Sequence, residues 1–147
     1  VANMLAAKWS VVTTTHRVRD IVEKTVQKTG LKDRCASVRT TDLAVLDTEH
    51  NREATVQALL EMGRIAIATD GAEALCLGCA GMSRLDRQLE EALGVPVIDS
   101  VTAAVKLAEA LVTLGKTTSK HMTYRPPELK AVPGYPTHLQ PQHLQHP

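Results

Sequence analysis

Aromatic residues are almost absent from this chain of 147 residues, which has no phenylalanine and contains only Trp9, Tyr124 and Tyr135. Nucleic-acid-binding modules that stack bases on aromatic side chains are therefore excluded. The formal net charge of +1 also lacks the basic excess with which proteins bind DNA or RNA phosphates. A core without aromatic residues has to be aliphatic, built from leucine, valine, isoleucine and alanine.

Long apolar runs and paired cysteines are missing as well. The longest apolar run, residues 74–82, is far shorter than the ~20 residues of a membrane-spanning helix. Three cysteines cannot form a disulfide framework, and the first residues lack the basic start and long apolar stretch of a secretory signal. We therefore expect reduced thiols, no membrane or nucleic-acid partner, and a cytoplasmic location.

Short apolar segments alternate with amphipathic segments as far as Gly115. Runs of β-branched or apolar residues predict strands, and a 3.6-residue periodicity predicts the helices between them. The predicted strands are residues 9–14, 35–39, 73–77 and 95–98, and the predicted helices are residues 17–29, 49–69, 82–93 and 101–114. This β-α-β-α-β-α-β-α order predicts an α/β fold in which helices cover both faces of a four-stranded parallel sheet.

The composition of the chain changes after Lys120. Six of the seven prolines and four of the six histidines lie beyond that residue, and residues 138–147 are of low complexity. We therefore expect one α/β lobe over residues 1–120. Residues 121–147, rich in proline, histidine and glutamine, are expected to form a largely disordered tail.

Small polar loops follow all four predicted strands, at the edge where open parallel sheets bind ligands. These loops are residues 13–15, 40–41, 78–81 and 99–100. They predict a shallow pocket for a small molecule. The hydroxyls of Thr13, Thr14 and Thr15 can bond a carbonyl or ring N–H, or one of the three caps the next helix; both can hold for different members. Either Asp99 or Ser100 is expected to cap the fourth helix, and Asp99 is interpreted mainly as such a cap. His16 lies beside the edge with no partner evident in the sequence.

Cys79 is the residue best suited to chemistry. It follows an apolar strand and precedes a predicted helix, whose positive end favours a thiolate. Gly78 and Gly81 let the backbone approach a ligand, and the amides at Ala80 and Gly81 point to the same place. A thiolate beside such amides suits acyl chemistry or removal of a proton next to a carbonyl. The alternative is a buried structural cysteine in a tight strand–helix turn.

The other two cysteines are interpreted as structural. Cys76 and Cys79 form a CxxC pair, but Cys76 falls inside the predicted strand, which disfavours a redox pair. No second CxxC or nearby histidine completes a zinc site, so no metal is predicted. Cys35 lies at the opposite end of its strand from the ligand edge, too far to meet Cys79 across a small substrate.

Residues 70–82, with the string Leu77-Gly78-Cys79-Ala80-Gly81-Met82, resemble the second cysteine motif of the aspartate/glutamate/hydantoin racemase superfamily. The resemblance extends over residues 10–14, 35–39, 93–99, 103–111 and 118–120, and over the spacing of Tyr124, Pro127 and Lys130. It covers nearly the whole chain to about Tyr135. An Ala-Gly-Met sequence after Cys79, where glutamate racemases have Thr-His, resembles the hydantoin and allantoin racemase branch, whose substrates are neutral cyclic ureides.

This resemblance implies a cofactor-independent racemase in which two cysteines, one from each of two similar lobes, flank the stereocentre. One cysteine takes the α-proton as a thiolate, and the other returns a proton to the opposite face. By resemblance Cys79 is the second of these cysteines. The substrate-lining residues implied with it are Thr13, Thr14, Gly78, Ala80 and Gly81.

Nothing in this sequence corresponds to the family's first lobe, which carries the other cysteine. The resemblance therefore leaves two expectations open. One is a racemase that is incomplete alone and needs a complementary lobe or a homo-oligomer. The other is a non-catalytic lobe that binds a ligand or associates with a partner.

Overall fold

A computed structural model of the chain describes residues 1–128, 130, 132–136 and 138. Its strands are β1 (Trp9–Thr13), β2 (Cys35–Thr40), β3 (Ala74–Leu77) and β4 (Val97–Asp99). They form one sheet in the order β2-β1-β3-β4, in which every neighbouring pair is parallel. The predicted α/β fold with a four-stranded parallel sheet is therefore confirmed.

Each of the four predicted helices corresponds to a helical segment of the structure. The α-helices are α1 (Ala2–Leu5), α2 (Arg19–Lys28), α3 (Asp47–His50), α4 (Arg52–Asp70), α5 (Asp86–Leu93) and α6 (Ser100–Thr113). The long helix predicted over residues 49–69 is divided at Asn51. The Asn51 side chain accepts the N–H of Ala54 at 3.1 Å and so begins α4 as its cap.

Two hydrophobic cores cover the two faces of the sheet, and both are aliphatic as the sequence predicts apart from Trp9. The α4/α5 core lies on one face and consists of Val12, Val56, Leu59, Leu60, Ala66, Ala72, Leu75, Leu77, Met82, Leu85, Leu89 and Val97. The α1/α2 core lies on the other face and consists of Ala2, Ala6, Trp9, Val11, Val26, Val38 and Ala74. Successive strand residues alternate between the two cores because side chains of a strand point to opposite faces.

The chain divides by its internal contacts into two compact units, Val1–Ala110 and the residues from Leu111 onwards. In the second unit a 3-10 turn spans Met122–Tyr124. The predicted disorder of residues 138–147 concerns residues that, apart from His138, lie outside the described ones. A lobe boundary at residue 120 stays a prediction. Within the described residues, no helix combines the length and apolar character needed to cross a membrane.

Candidate active site

The carboxyl ends of the four strands lie along one edge of the sheet because all the strands are parallel. The residues at these ends are Thr13 and Thr14 at β1, Thr40 at β2, Gly78 and Cys79 after β3, and Asp99 at β4. Thr13, Thr14 and Asp99 are buried, and Cys79 is half-buried. The structure therefore places the residues predicted from sequence along the edge where this fold class binds ligands.

Gly78 packs directly against β1. Its N–H donates to the Val12 carbonyl at 2.8 Å, and the Thr13 hydroxyl donates to the Gly78 carbonyl at 3.3 Å. A Cβ atom at position 78 would lie 2.8 Å from the Thr13 Cβ and 2.9 Å from the Val11 Cγ1, closer than carbon atoms pack. Close approach of the two strands therefore requires glycine here and fixes the segment that leads to Cys79.

The residues after Cys79 differ from the sequence prediction. They form a 3-10 turn, Ala80–Met82, in which the Met82 N–H donates to the Cys79 carbonyl at 3.1 Å, and α5 begins only at Asp86. The expectation that Cys79 stands at the N-terminus of a helix was wrong, and a three-residue turn does not build up a helix dipole. Periodicity did not reveal this because Met82 is buried in the core as a helical residue would be.

We call residues 79–84 the Cys79 turn. Ala80 and Gly81 are the first residues of its 3-10 segment, so the hydrogen bonds of that segment do not use their N–H groups. Ala80 is exposed and Gly81 is half-buried. Two backbone donors next to Cys79 in the chain are therefore available to a ligand carbonyl, although no helix dipole reinforces them.

Thr13 and Thr14 differ in how their hydroxyls are used. The Thr13 hydroxyl is bonded to the Gly78 carbonyl, whereas the Thr14 hydroxyl makes no hydrogen bond within the described residues. The alternative that a threonine side chain caps the next helix was wrong. Thr15 occupies the N-cap position of the turn at His16–Val18, but its side chain makes no capping bond. Thr14 is thus the better placed of the two predicted threonines to bond a ligand.

His16 has partners that sequence reasoning missed. Its Nδ1 lies 2.5 Å from the Thr40 hydroxyl, and its Nε2 lies 3.8 Å from a carboxylate oxygen of Asp42. A backbone hydrogen bond joins the loops that follow β1 and β2, because the N–H of Thr41 donates to the Thr13 carbonyl at 2.9 Å. The sequence placed Thr40 in a small polar loop at the ligand edge. Its pairing with His16 was not predictable, because it depends on β1 and β2 being neighbours in the sheet.

The three cysteines are free thiols and pack on different sides of the sheet. Cys79 packs against the α4/α5 core, whereas Cys35 and Cys76 pack against the α1/α2 core. Burial raises the pKa of the Cys76 thiol to about 11, and burial also raises the pKa of Cys35. Cys76 is therefore a protonated core residue at neutral pH, which argues against a redox pair with Cys79.

Asp99 is the most extensively bonded carboxylate of the site. Its Oδ1 accepts the N–H groups of Val101 at 2.9 Å and Thr102 at 3.4 Å, which confirms the predicted cap of α6. Its Oδ2 accepts the Ser83 hydroxyl at 2.7 Å and the Arg84 N–H at 3.2 Å. Burial alone would raise the pKa of Asp99, but these hydrogen bonds outweigh it and lower the pKa to about 2.

No cluster of three or more His, Cys, Asp or Glu side chains with the geometry of a metal site is found in the described part of the chain. The donors that the edge does offer are backbone amides, threonine hydroxyls and one thiol. This set suits the orientation of a small neutral molecule that carries carbonyl and N–H groups.

The chain belongs to the Asp/Glu/Hydantoin racemase family, whose profile matches residues 1–108. Among its relatives, a protein named hydantoin racemase from Pseudomonas sp. (strain NS671) is 48% identical over 133 residues, covering 90% of this chain and 53% of the relative. A hydantoin racemase from Rhizobium meliloti is 48% identical over 135 residues, covering 92% of this chain and 56% of the relative.

Two solved structures of allantoin racemases also resemble the chain. The Pseudomonas fluorescens enzyme has a TM-score of 0.86 and 47% identity, covering 90% of this chain and 57% of that one. The Klebsiella pneumoniae enzyme has a TM-score of 0.86 and 41% identity, covering 90% of this chain and 54% of that one. The chain thus spans about half the length of the relatives it matches.

Proposed function

We propose that this chain is one lobe of a cofactor-independent racemase of cyclic ureides of the hydantoin or allantoin type, with Cys79 as a proton-transfer group. The observation that carries the proposal is the position of Cys79. It is half-buried at the ligand edge, between Gly78 and the turn amides, in a chain 48% identical to a protein named hydantoin racemase. The names of the relatives support the substrate class.

In the proposed reaction, the Cys79 thiolate removes the proton from the ring carbon of the ureide that lies next to a carbonyl. The electron pair of the broken C–H bond moves towards the carbonyl oxygen, where the N–H groups of Ala80 and Gly81 stabilise the developing charge. The Thr14 hydroxyl bonds a second polar atom of the ring. A proton returned to the same face restores the starting enantiomer, so inversion needs a second acid on the opposite face.

We propose that a complementary lobe supplies this second acid, as the half-length match to the relatives supports. Cys35 and Cys76 are poor substitutes because both pack in the α1/α2 core, on the other side of the sheet from Cys79. The chain alone is therefore expected to racemise slowly or not at all. The cytoplasmic location predicted from unpaired cysteines stays a prediction.

The test is the decay of optical rotation of a single-enantiomer hydantoin or allantoin. It compares the chain alone with a protein in which the first half of the Rhizobium meliloti relative precedes Val1. We expect decay with the joined protein, and a loss of about 100-fold or more in rate when Cys79→Ser removes the proton-transfer group. Cys35→Ser is the matched control and is expected to retain activity.

Two results would contradict this proposal. One is a joined protein that folds but leaves the optical rotation unchanged. The other is a Cys79→Ser variant that racemises as fast as its parent. Comparing the rates for hydantoins and allantoin then decides between the two substrates.

A second candidate function is a non-catalytic lobe that associates with a partner. It is favoured by α6, where Val101, Val105 and Leu107 are exposed although they are large and apolar. Ligand-induced stabilisation by a ureide, measured by thermal unfolding, distinguishes ligand binding from association alone. A monomer that no ureide stabilises would argue against this candidate.

A further inference from the structure

Asp99 does more than cap α6. Capping uses its Oδ1, whereas Oδ2 accepts the Ser83 hydroxyl at 2.7 Å and the Arg84 N–H at 3.2 Å, both from the Cys79 turn. The Thr102 hydroxyl also donates to Oδ2, at 2.8 Å. The residue is only 5% exposed, so these charge-assisted bonds form largely out of water. One buried carboxylate therefore joins the turn that carries Cys79 to the first residues of α6.

The Cys79 turn is held on both sides of its thiol. Before the thiol, Gly78 is bonded to β1 through its N–H and its carbonyl. After the thiol, the Met82 side chain is fully buried in the α4/α5 core, and Ser83 and Arg84 are bonded to Asp99. Cys79 thus lies between two anchored points, and Asp99 is a buried polar anchor on the downstream side.

Arg84 gives the downstream side of the turn an unfavourable backbone conformation that its contacts have to support. Its φ of +64° is in the left-handed region, which is unfavourable for a residue with a Cβ atom. Asp99 accepts the Arg84 N–H on one side. On the other side the Arg52 guanidinium donates to the carbonyls of Ser83 at 3.4 Å and Arg84 at 3.3 Å. A local bond from the Leu85 N–H to the Met82 carbonyl, at 3.4 Å, also spans Ser83 and Arg84. Asp99 and Arg52 add to this long bond, so removing a bond to Asp99 leaves the Arg84 conformation with weaker support.

We propose that Asp99 is a positioning residue for Cys79, because its bonds to Ser83 and Arg84 hold the turn that presents the thiol at the ligand edge. The chemical importance of the thiol rests on the function proposed above, but the anchoring itself does not. Asp99 holds the Cys79 turn and caps α6, and the two hydroxyls that donate to its Oδ2 allow these two roles to be tested separately. Ser83 belongs to the turn, and Thr102 belongs to α6.

The test uses the full chain and two matched variants, Ser83→Ala and Thr102→Val, each of which removes one hydroxyl donor from Oδ2. The rate at which iodoacetamide alkylates Cys79 is measured between about pH 6 and pH 9 by peptide mass mapping. Cys35 and Cys76 serve as internal references. We expect Ser83→Ala to accelerate alkylation of Cys79 by about threefold or more, because a loosened turn exposes the thiol. Thr102→Val is expected to leave the rate of Cys79 alkylation at the wild-type value. Ser83→Thr keeps a hydroxyl at residue 83, so its rate is also expected to match the wild-type value.

The inference is overturned if both variants change Cys79 equally, if neither does, or if Cys35 and Cys76 accelerate along with Cys79. The last result indicates general loosening of the fold. Racemisation by the joined protein is scored separately. Selective acceleration of Cys79 without any racemisation removes the proposed function and leaves the anchoring intact. Racemisation that depends on Cys79 but shows no Ser83 effect on alkylation overturns the positioning role alone.

Discussion

Gly78 lets the chain just before Cys79 pack against β1 because it has no side chain, and this packing sets the position of the candidate catalytic thiol. The side chains of Thr13 and Val11 fill the space beside residue 78, which leaves no volume for a Cβ atom. The neighbouring atoms are the Thr13 Cβ and the Val11 Cγ1, both attached to a strand held in the middle of the sheet. They cannot move aside as the end of a long side chain does.

Gly78→Ala is therefore expected to lower the free energy of unfolding by about 2 kcal/mol, because the added methyl overlaps the Thr13 and Val11 side chains and the strands have to shift. Urea unfolding of the two proteins measures this difference. A variant as stable as the parent would show that β1 and β3 separate more easily than their packing indicates.

Gly63→Ala in α4 is the matched control. The added Cβ would also lie close to its neighbours, 2.8 Å from the Leu93 Cδ1 and 3.0 Å from the Leu75 Cδ1, but both are methyl groups at the ends of leucine side chains. Replacing a helical glycine by alanine also gains up to about 1 kcal/mol in helix propensity. We expect a net change within about 1 kcal/mol, clearly smaller than that of Gly78→Ala.

Asp99 makes stability depend on pH. Its pKa is about 2 in the folded protein, against an ordinary value of 3.8, and this difference corresponds to roughly 2 kcal/mol. Because the pKa is lowered on folding, the contribution is fully present above about pH 5 and is lost as the pH falls towards 2. Asp99→Asn is expected to cost about 2 kcal/mol at neutral pH and progressively less below about pH 4.

Urea unfolding at a series of pH values tests this expectation. Asp70 is expected to contribute to the acid sensitivity that remains in Asp99→Asn, because the hydrogen bond from Arg39 also lowers the pKa of that carboxyl. A difference between parent and variant that stays constant from neutral to acid pH would contradict the role of the Asp99 charge.

At the scale of elements, the C-terminal end of α4 is attached to the sheet by a carboxylate, although a negative charge is unfavourable at that end of a helix. Asp70 is the last residue of α4, where the negative end of the helix dipole repels a carboxylate. The Arg39 guanidinium of β2 compensates with bonds of 2.6 Å and 2.8 Å to its two oxygens, and Ser37 donates a third at 2.6 Å. Asp70 therefore links α4 to an edge strand of the sheet.

Asp70→Ala is expected to lower the free energy of unfolding by about 2 kcal/mol, because it leaves a half-buried guanidinium without its bidentate partner. Lys24→Ala is the matched control, since it breaks the exposed Lys24–Asp20 pair on α2, and is expected to cost under about 0.5 kcal/mol. Equal losses in the two variants, measured by urea unfolding, would show that the Arg39–Asp70 pair acts like a surface ion pair.

At the scale of the whole molecule, α6 presents more apolar surface than a solvated helix usually does. Its polar residues Thr102, Lys106 and Glu109 form one narrow stripe, and the rest of the helix as far as Ala110 is apolar apart from the first residue. Helices of this pattern are usually covered on most sides, yet no residue of α6 is buried. The surface around Val105, which is 51% exposed, is therefore suited to contact with another protein surface.

We expect the chain to associate reversibly in solution, and Val105→Glu to shift it towards the monomer. Light scattering coupled to size exclusion, over a series of concentrations, measures the mass. Ile21→Glu is the matched control because Ile21 is an isolated exposed apolar residue on α2. A monomeric mass at every concentration, or equal effects of both substitutions, would contradict a role for α6 in association.

Local pattern was sufficient for much of this structure. The four strands, the long helices, the ligand edge and the position of Cys79 after β3 all follow from apolar spacing and from glycines that end helices. These signals act within a few residues, so each segment can be read without its neighbours. The structural roles predicted for Cys35 and Cys76 follow in the same way, from their positions within strands.

The arrangement around the site depends on residues that are distant in the chain. The helix predicted from Met82 begins only at Asp86, because Ser83 and Arg84 bond to Asp99 across 15 or 16 residues and Arg84 has a left-handed conformation. Sequence alone indicated a helix cap at Asp99, since capping is local, but not its second set of bonds. Those bonds exist only because β3 and β4 pair side by side, which brings the ends of both strands, and the loops that follow them, within hydrogen-bonding distance.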